Sequence, residues 1–312
     1  MLGVGLSLPP DEEFLELVAP LLADAVDYFE IAPETTWWEP PDSGAEPARP
    51  RALPPLAPNG FHHLFAALGR RCRKPFVGHG VGYSFGTTSP ADRPRRRRWL
   101  QRLRLDHAVF GFRWYTDHLG ATALSGQALA LPLPLPYSAY AAQLCRRRLA
   151  ALQTIVPEVG IENTAQYFVL GEPLSEPAFI GRVLRQPRSH LLLDLHNVHT
   201  MAQNLGFSAE EYLDRLERHR VLSQVIELHL SGGSYSDGSW LPSGRSLRLD
   251  SHDSAIPEPV WQLFSQVLPR CPNLRGVTLE RMEGTLAPAD LPLLAAELAR
   301  IRRALSPRRP PA

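Results

Sequence analysis

Cysteine and lysine are scarce in this sequence. The three cysteines, Cys72, Cys145 and Cys271, lie far apart and form no CxxC pair, which excludes the usual thiolate zinc motif and argues against a disulfide framework. This cysteine usage is typical of a reducing compartment, so we expect a cytoplasmic protein. Lys74 is the single lysine, and arginine therefore carries nearly all of the positive charge.

Long apolar runs and an excess of either charge are also absent. No segment approaches the roughly 18 consecutive apolar residues that a membrane-spanning helix needs. The start of the chain, MLGVGLSLPPDEEF, lacks the basic and apolar regions of a signal peptide. The net charge is +1, so no overall field attracts nucleic acid or an acidic membrane. We expect neither as a partner.

The chain instead shows a regular alternation of short apolar runs and longer helical patterns. The predicted strands are 2–6, 26–31, 76–77, 109–115, 159–162, 190–195, 224–230 and 276–280. The predicted helices are 11–23, 61–70, 94–105, 138–155, 176–185, 209–218, 258–267 and 289–304. Eight strand–helix pairs without a composition break predict an α/β fold, a single-domain (β/α)₈ TIM barrel over residues 1–305, followed by a flexible Arg/Pro tail at 306–312.

Three longer segments are predicted as loops. Residues 33–59 are rich in proline and aromatic side chains and are interpreted as a long functional loop, and residues 231–257 are rich in glycine and serine. Residues 131–136 have proline at alternate positions, which cannot carry a sheet ladder. An open doubly wound sheet is the alternative architecture, but no GxGxxG or Walker sequence supports it.

Histidine and carboxylate side chains close six of the predicted strands. In a barrel these strand ends meet at one mouth, where active sites are built. A charged side chain there is costly as core filling, whereas a shared cation pairs with several carboxylates and imidazoles at once. The sequence therefore predicts a metal site. The six residues are His79, His118, Glu162, Asp194, His229 and Glu280.

A second feature extends this site. Asp250 and His252 lie two apart on a segment that we expect to be extended, so their side chains point to the same side and can clamp a further ion. Ligands of nitrogen and oxygen without thiolate suit iron, manganese or zinc. The number of ligands exceeds what one ion uses, which predicts two or three ions.

Other polar residues have ordinary interpretations. The arginine run 95–98 is interpreted as a solvated helix face. Trp37 and Trp38 are expected to cover the top of the barrel or to grip a peptide. The remaining histidines that we interpret as ordinary polar residues are His62, His63, His107, His190 and His219.

Seven segments of the chain carry a recognisable pattern: HGVGYSFG, LPLPLPYS, IENTAQYF, LLLDLHNVHTMAQNLGFS, ELHLSGG, LDSHDSAIPEPVW and TLER. Together they resemble a known family, the multinuclear non-haem iron-dependent oxidases of the methanobactin-biosynthesis type, which modify ribosomally made peptides. The resemblance runs from the first strand to about Glu280, and the motifs occur in the family's order, each at a strand end.

The resemblance implies a TIM barrel that holds two or three irons and uses O₂ as co-substrate. Its substrate would be a precursor peptide in which a Cys, or an Asp or Asn, is modified, and a separate partner protein would bind the leader. Glu162, Asp194 and His229 would be central to catalysis. Within DLHN either His196 or Asn197 would join the ligands that the motifs imply, which are His79, His118, Glu162, Asp194, His229, Asp250, His252 and Glu280.

The chain departs from the family pattern in two further places. Ala32 stands where the family often has a histidine after the second strand, and Gly233 stands where it often has a second histidine after HLSG. Both departures affect the expected shape of the substrate pocket. Two other functions remain open: a zinc- or manganese-dependent barrel isomerase or phosphodiesterase, like xylose isomerase or endonuclease IV, and a non-catalytic barrel that binds a peptide.

Overall fold

The computed structural model describes residues 1–38, 55–125 and 127–306, and eight parallel strands form a closed barrel in it. Consecutive barrel strands are neighbours all the way round, and β8 closes on β1. The predicted fold is thus confirmed. The barrel strands are β1 (Gly3–Ser7), β2 (Tyr28–Ile31), β3 (Phe76–Gly80), β4 (Tyr115–His118), β5 (Val159–Glu162), β6 (Ser189–Asp194), β7 (Val225–Leu230) and β8 (Gly276–Leu279).

Helices surround the barrel, and side chains at their first residues help to fix where they begin. Asp11 accepts a hydrogen bond from the backbone of Phe14, and Ser138 accepts one from Ala141, so each caps a helix. None of the helices in these ranges is both long and apolar enough to cross a bilayer. They are α1 (Glu12–Asp24), α2 (Gly60–Cys72), α3 (Arg93–Phe110), α4 (Ala139–Gln153), α5 (Glu176–Val183), α6 (Leu195–Leu205), α7 (Ala209–Arg218), α8 (Glu258–Val267) and α9 (Leu291–Leu305).

The two faces of each strand have different roles. Phe29 and Ile31 belong to the apolar core between the sheet and the helices. Glu30, between them, reaches a side chain of β7, which is not a neighbour of β2, so it points into the barrel. Successive side chains of a strand alternate between faces. Apolar residues therefore fill the outer layer, whereas the inward face holds polar residues such as Glu30 and a small apolar cluster of Tyr28, Val77, Trp114 and Ile226.

The fourth predicted strand, 109–115, was misplaced. α3 continues to Phe110, and Gly111, at φ +60°, ends it in the left-handed conformation that favours glycine. The strand begins only at Tyr115. The apolar run of the sequence therefore spans a helix end and a strand start.

Two further elements were not predicted. α6 follows β6 directly, with Asp194 as its N-cap, where the sequence pattern placed no helix. An antiparallel rim hairpin, Ala121–Leu124 paired with Gln127–Leu133, includes part of the segment 131–136 that was predicted as a loop. A two-stranded hairpin leaves one edge of each strand without a partner, which is where a sheet tolerates proline such as Pro132.

The arginine run 95–98 is only partly a solvated face, because Arg96 is buried and ion-paired with Asp92. Trp37 packs against Trp99 and donates a hydrogen bond to Asp106 at 2.5 Å. Residues 39–54 of the predicted functional loop lie outside the described residues. The predicted Arg/Pro tail, 306–312, does so too except for its first residue.

Candidate metal centre

One cavity of about 440 Å³ opens at the carboxyl ends of the barrel strands. Ala32, the first departure from the family pattern, lies in its wall. Three of the ten candidate ligands, Asp194, His196 and His229, are buried and contact residues of this wall. The other seven line the cavity: His79, His118, Glu162, Asn197, Asp250, His252 and Glu280. The structure thus brings the whole predicted set together.

His79, His118 and Glu162 form the first group of ligand atoms. They end β3, β4 and β5, which are neighbours in the barrel. Glu162 Oε2 lies 2.8 Å from His118 Nε2 and 3.4 Å from His79 Nε2. The other ring nitrogen of His79, Nδ1, lies 2.9 Å from the hydroxyl of Thr116. Thr116 therefore orients the ring so that Nε2 points towards Glu162.

Asp194, His229 and Glu280 lie next to the first group. His229 Nδ1 is 3.0 Å from Glu280 Oε2 and 4.0 Å from Asp194 Oδ2. Glu162 also belongs here, because one ligand atom from each of Glu162, Asp194 and His229 lies within 4.8 Å of the others. Glu162 therefore belongs to both the first and the second group.

His196, Asp250 and His252 form a third group. Asp250 Oδ1 lies 2.8 Å from His252 Nε2 and 3.2 Å from His196 Nδ1. His252 also lies 3.7 Å from Glu280 Oε2, which joins this group to the second one. The three groups therefore form one continuous chain of ligand atoms across the mouth.

Both candidate residues of the DLHN segment lie at the site. α6 begins there, and Asp194 accepts a hydrogen bond from the Asn197 backbone at 2.6 Å. The amide nitrogen of Asn197 donates to Glu162 Oε1 at 3.2 Å, whereas its Oδ1 has no partner within the described chain. His196 belongs to the third group, whereas Asn197 contacts Glu162 of the first group.

Gly233, the second departure from the family pattern, lies against His196. A Cβ atom at position 233 would lie 2.8 Å from Cε1 and 3.0 Å from Nε2 of the His196 ring. It would also lie 2.3 Å from the backbone oxygen of Leu249. The imidazole of His196 therefore occupies the space into which a side chain at 233 would point.

A buried network that the sequence analysis missed lies under the second group. Glu30 Oε2 is 2.9 Å from His229 Nε2. Glu227 is close to both, but its oxygens already accept hydrogen bonds from Tyr28, Trp114 and Thr278. Glu227 is thus a satisfied core carboxylate, whereas Glu30 contacts His229, one of the candidate ligands. The sequence feature that could have revealed Glu30 is a charged residue between two apolar residues of a predicted strand, in the segment FEI.

Buried carboxylates lie close together at the mouth and shift the pKa values of the groups around them. Burial opposes a charged imidazole, but Glu162 outweighs it and raises the pKa of His79 to about 9. Asp250 and Glu280 likewise overcome burial and raise the pKa of His252 to about 10. Burial and the negative charge of Glu162 raise the pKa of Asp194 well above its ordinary value. Each shift shows an excess of negative charge that bound cations would offset.

Several buried atoms here lack a hydrogen-bond partner within the described chain. A buried polar atom without a partner is costly unless something else satisfies it. All of these atoms are acceptors or ring nitrogens at positions able to ligate a cation, and no cysteine belongs to the groups. The residues therefore fit a cluster of metal ions bound through nitrogen and oxygen, such as iron, manganese or zinc. The atoms are Asp194 Oδ2 and Asn197 Oδ1; Glu162 Oε2, His229 Nδ1 and Glu280 Oε2 have only the ion-pair contacts described above.

A family model described as RiPP precursor modification enzyme MbnB/TglH/ChrH matches residues 1–306. The chain belongs to this family, which confirms the resemblance found in the sequence, and it is an enzyme that modifies a precursor peptide of a ribosomally synthesised natural product.

Relatives with similar sequences carry only a general name. A UPF0276 protein of Rhizorhabdus wittichii is 30% identical over 270 residues, covering 86% of this chain and 83% of the relative. The UPF0276 protein PA14_21580 of Pseudomonas aeruginosa is 31% identical over 253 residues, covering 79% and 82%. These matches support the family assignment, and the relatives' names specify no substrate.

Solved structures with a similar fold are TIM barrels of low sequence identity. Endonuclease IV from Thermus thermophilus aligns with a TM-score of 0.51 and 19% identity, covering 98% of this chain and all of that one. A xylose isomerase domain protein from Planctomyces limnophilus aligns with a TM-score of 0.56 and 13% identity, covering 97% and 96%. At such identity the likeness establishes the fold alone.

Proposed function

We propose that this enzyme is a multinuclear iron-dependent oxidase that uses O₂ to modify a Cys, Asp or Asn residue of its precursor peptide. The observation that carries the proposal is the overlap of the three ligand groups. Glu162 belongs to two groups of ligand atoms, and so does His252. One ion cannot use so many donors, so the mouth is built for two or three.

The proposed ligand set is the one that the motifs imply. Each of these residues has a side chain able to ligate, which argues against the alternative of a non-catalytic barrel. Glu162, Asp194 and His229 are the proposed catalytic centre, because they join the groups and are buried. The set is His79, His118, Glu162, Asp194, His196, Asn197, His229, Asp250, His252 and Glu280.

Bound iron would supply O₂ activation and an anchor for a substrate thiolate or carboxylate. The protein's own residues position the ligands. Thr116 fixes the ring of His79, Asn197 holds Glu162 through Oε1, and Glu30 holds His229. Apolar residues, including Val81 and Leu129, form part of the cavity wall around these groups.

The proposal is tested first by metal analysis of protein prepared without oxygen. More than one iron per chain is expected. A single tightly held zinc would contradict the oxidase and favour the isomerase or phosphodiesterase alternative. A separate partner protein that binds the leader and a cytoplasmic location remain predictions. Co-purification of this enzyme with such a partner tests the first of these predictions.

A matched pair of variants tests the central ligand. Glu162→Gln keeps the size of the side chain but removes the charge shared by two ligand groups, so it should fold, lose at least one iron and lose O₂-dependent turnover. Glu217→Gln changes an exposed carboxylate that pairs with Arg270 on the outer surface and should do neither. Full iron loading of Glu162→Gln would mean that Glu162 is not a ligand.

A further inference from the structure

Positive charge is concentrated on one wall of the barrel. α3 carries seven arginines and one acidic residue, and α4 carries three arginines and no acidic residue. The whole chain has a net charge of only +1. The two helices therefore form a strongly positive surface on a nearly neutral protein, and such a surface attracts an anionic partner.

A groove of about 480 Å³ lies between these helices, and we call it the arginine groove. Arg93, Arg97, Gln101 and Arg104 line its α3 side. Their spacing of three and four residues places them in one row along the helix. Arg148 lines the α4 side. The groove thus has a row of guanidinium groups on one side and a further one opposite.

The charges of the row are not compensated within the described chain. Asp92, at the start of α3, is already paired with Arg95 and Arg96. Arg93, Arg97 and Arg104 are exposed and have no ion pair or hydrogen bond to another described residue.

Across the groove, the same crowding affects Arg148. Burial, and then the neighbouring guanidinium of Arg96, lower the pKa of Arg148. The positive charges therefore repel one another here, and a bound anion would relieve this repulsion.

The shape of the groove favours an extended acidic peptide. The row from Arg93 to Arg104 is about 16 Å long at the helical rise, which is much longer than a single phosphate. Arginines four residues apart are about 6 Å apart along the axis, close to the roughly 7 Å between alternate side chains of an extended chain. Tyr83, the aromatic residue that lines the groove, is buried, so it offers no platform for a nucleic-acid base.

The groove lies one loop away from the metal cavity. Val81 lines the cavity and Tyr83 lines the groove. Arg95 holds this loop by donating hydrogen bonds to the backbone oxygens of Gly82 at 2.6 Å and Tyr83 at 3.0 Å. The short loop that carries Val81 and Tyr83 therefore lies between the groove and the metal cavity.

We propose that the arginine groove binds an acidic segment of the precursor peptide outside the modified residue and so tethers the substrate beside the mouth. The proposal rests on the peptide-modifying function of the family, but it does not depend on iron or O₂. Tethering raises the effective concentration of the modified residue at the cavity without adding contacts there.

The test measures binding of a fluorescently labelled peptide with glutamate at every second position, with the full chain as purified and without O₂. The wild-type protein should bind it, and added salt should weaken the binding. Arg93→Glu/Arg97→Glu/Arg104→Glu should weaken it by about tenfold or more. The matched control, Arg71→Glu/Arg185→Glu/Arg218→Glu, has the same change of charge on exposed residues elsewhere and should retain the binding.

Equal losses in the two triple variants would overturn the proposal, because only overall charge would then matter. Tighter binding of a single-stranded oligonucleotide than of the peptide would overturn it in favour of nucleic acid. Circular dichroism and metal content of both variants should match the wild type, so that lost binding is not lost folding. If the protein lacks iron but still binds the peptide through the groove, the oxidase proposal fails and this one stands.

Discussion

The ring of His229 joins two carboxylates, with Nε2 2.9 Å from Glu30 Oε2 and Nδ1 3.0 Å from Glu280 Oε2. When Nε2 carries the proton and donates to Glu30, Nδ1 is free to bind a cation. A carboxylate that holds the far nitrogen of a ligating histidine fixes its tautomer and orientation. We therefore expect Glu30 to position His229 for metal binding.

Replacing Glu30 should weaken metal binding without unfolding the barrel. Glu30→Gln keeps an acceptor for His229 Nε2 and should lower metal affinity by about tenfold. Glu30→Leu removes the acceptor and should lower metal affinity by about a hundredfold. Competition with a chelator measures both affinities. Glu176→Gln, which changes a buried carboxylate that belongs to none of the candidate ligand groups, is the matched control and should leave affinity unchanged. Wild-type affinity in Glu30→Leu would show that Glu30 does not act through His229.

Metal binding should release protons. Burial opposes the charged imidazole in both rings, but neighbouring carboxylates raise the pKa of His79 to about 9 and that of His252 to about 10. Both rings are therefore protonated at neutral pH in the ion-free protein and must lose that proton to ligate. Affinity should rise from neutral pH towards pH 9. Calorimetric titration with Mn²⁺ in two buffers of different ionisation enthalpy measures the release, and identical heats in both buffers would contradict it.

Gly233 should be intolerant of even a methyl group. Alanine there would place Cβ 2.3 Å from the Leu249 oxygen and 2.8 Å from the His196 ring. The loop or the ring must shift, so Gly233→Ala should destabilise the fold by about 1–3 kcal/mol and lower the metal content at the third group. Gly60→Ala is the control, because no atom lies within 4 Å of its Cβ. Thermal unfolding and metal analysis compare the two, and equal behaviour would refute the expected clash.

The strand-end residues were predictable because the carboxyl ends of successive strands lie side by side around the mouth of a parallel barrel. Glu162, for example, lies between the β4 and β6 strands that carry His118 and Asp194, as its order in the chain indicates. Glu30 was not predictable in the same way. Its role depends on facing His229 across the barrel, a contact between residues 199 positions apart that no local pattern encodes.

The boundary errors have a different cause. Apolar periodicity does not distinguish the end of a buried helix from the start of a buried strand. The residues up to Phe110 are helical, and Gly111 provides the break that the apolar run conceals. At β6 the chain passes from strand to helix without a loop, so Asp194 acts at once as a strand end and as the cap of α6.

Glu176 is a buried carboxyl group outside the metal centre that should make stability depend on pH. It lies at the start of α5, where Tyr212 donates a hydrogen bond to its Oε2 at 2.6 Å. Burial outweighs this hydrogen bond and raises the pKa of Glu176 from its ordinary 4.5 to about 7. The folded state therefore binds a proton more tightly than the unfolded state. The stabilisation is complete below pH 4.5 and is lost as the pH rises towards 7.

Glu176→Gln keeps an acceptor for Tyr212 but cannot ionise, so it should remove this dependence. Each unit of pKa difference corresponds to about 1.4 kcal/mol, and the loss in the wild type should therefore be on the order of 3 kcal/mol between the two ends of the range. Urea unfolding of ion-free protein below pH 4.5 and above pH 7 gives the free energy of unfolding at each end. Between these two pH values, the free energy of unfolding should change less in Glu176→Gln than in the wild type, by about 3 kcal/mol. Glu217→Gln, an exposed change, should follow the wild type. A Glu176→Gln profile that also follows it would show that folding does not raise the pKa of Glu176.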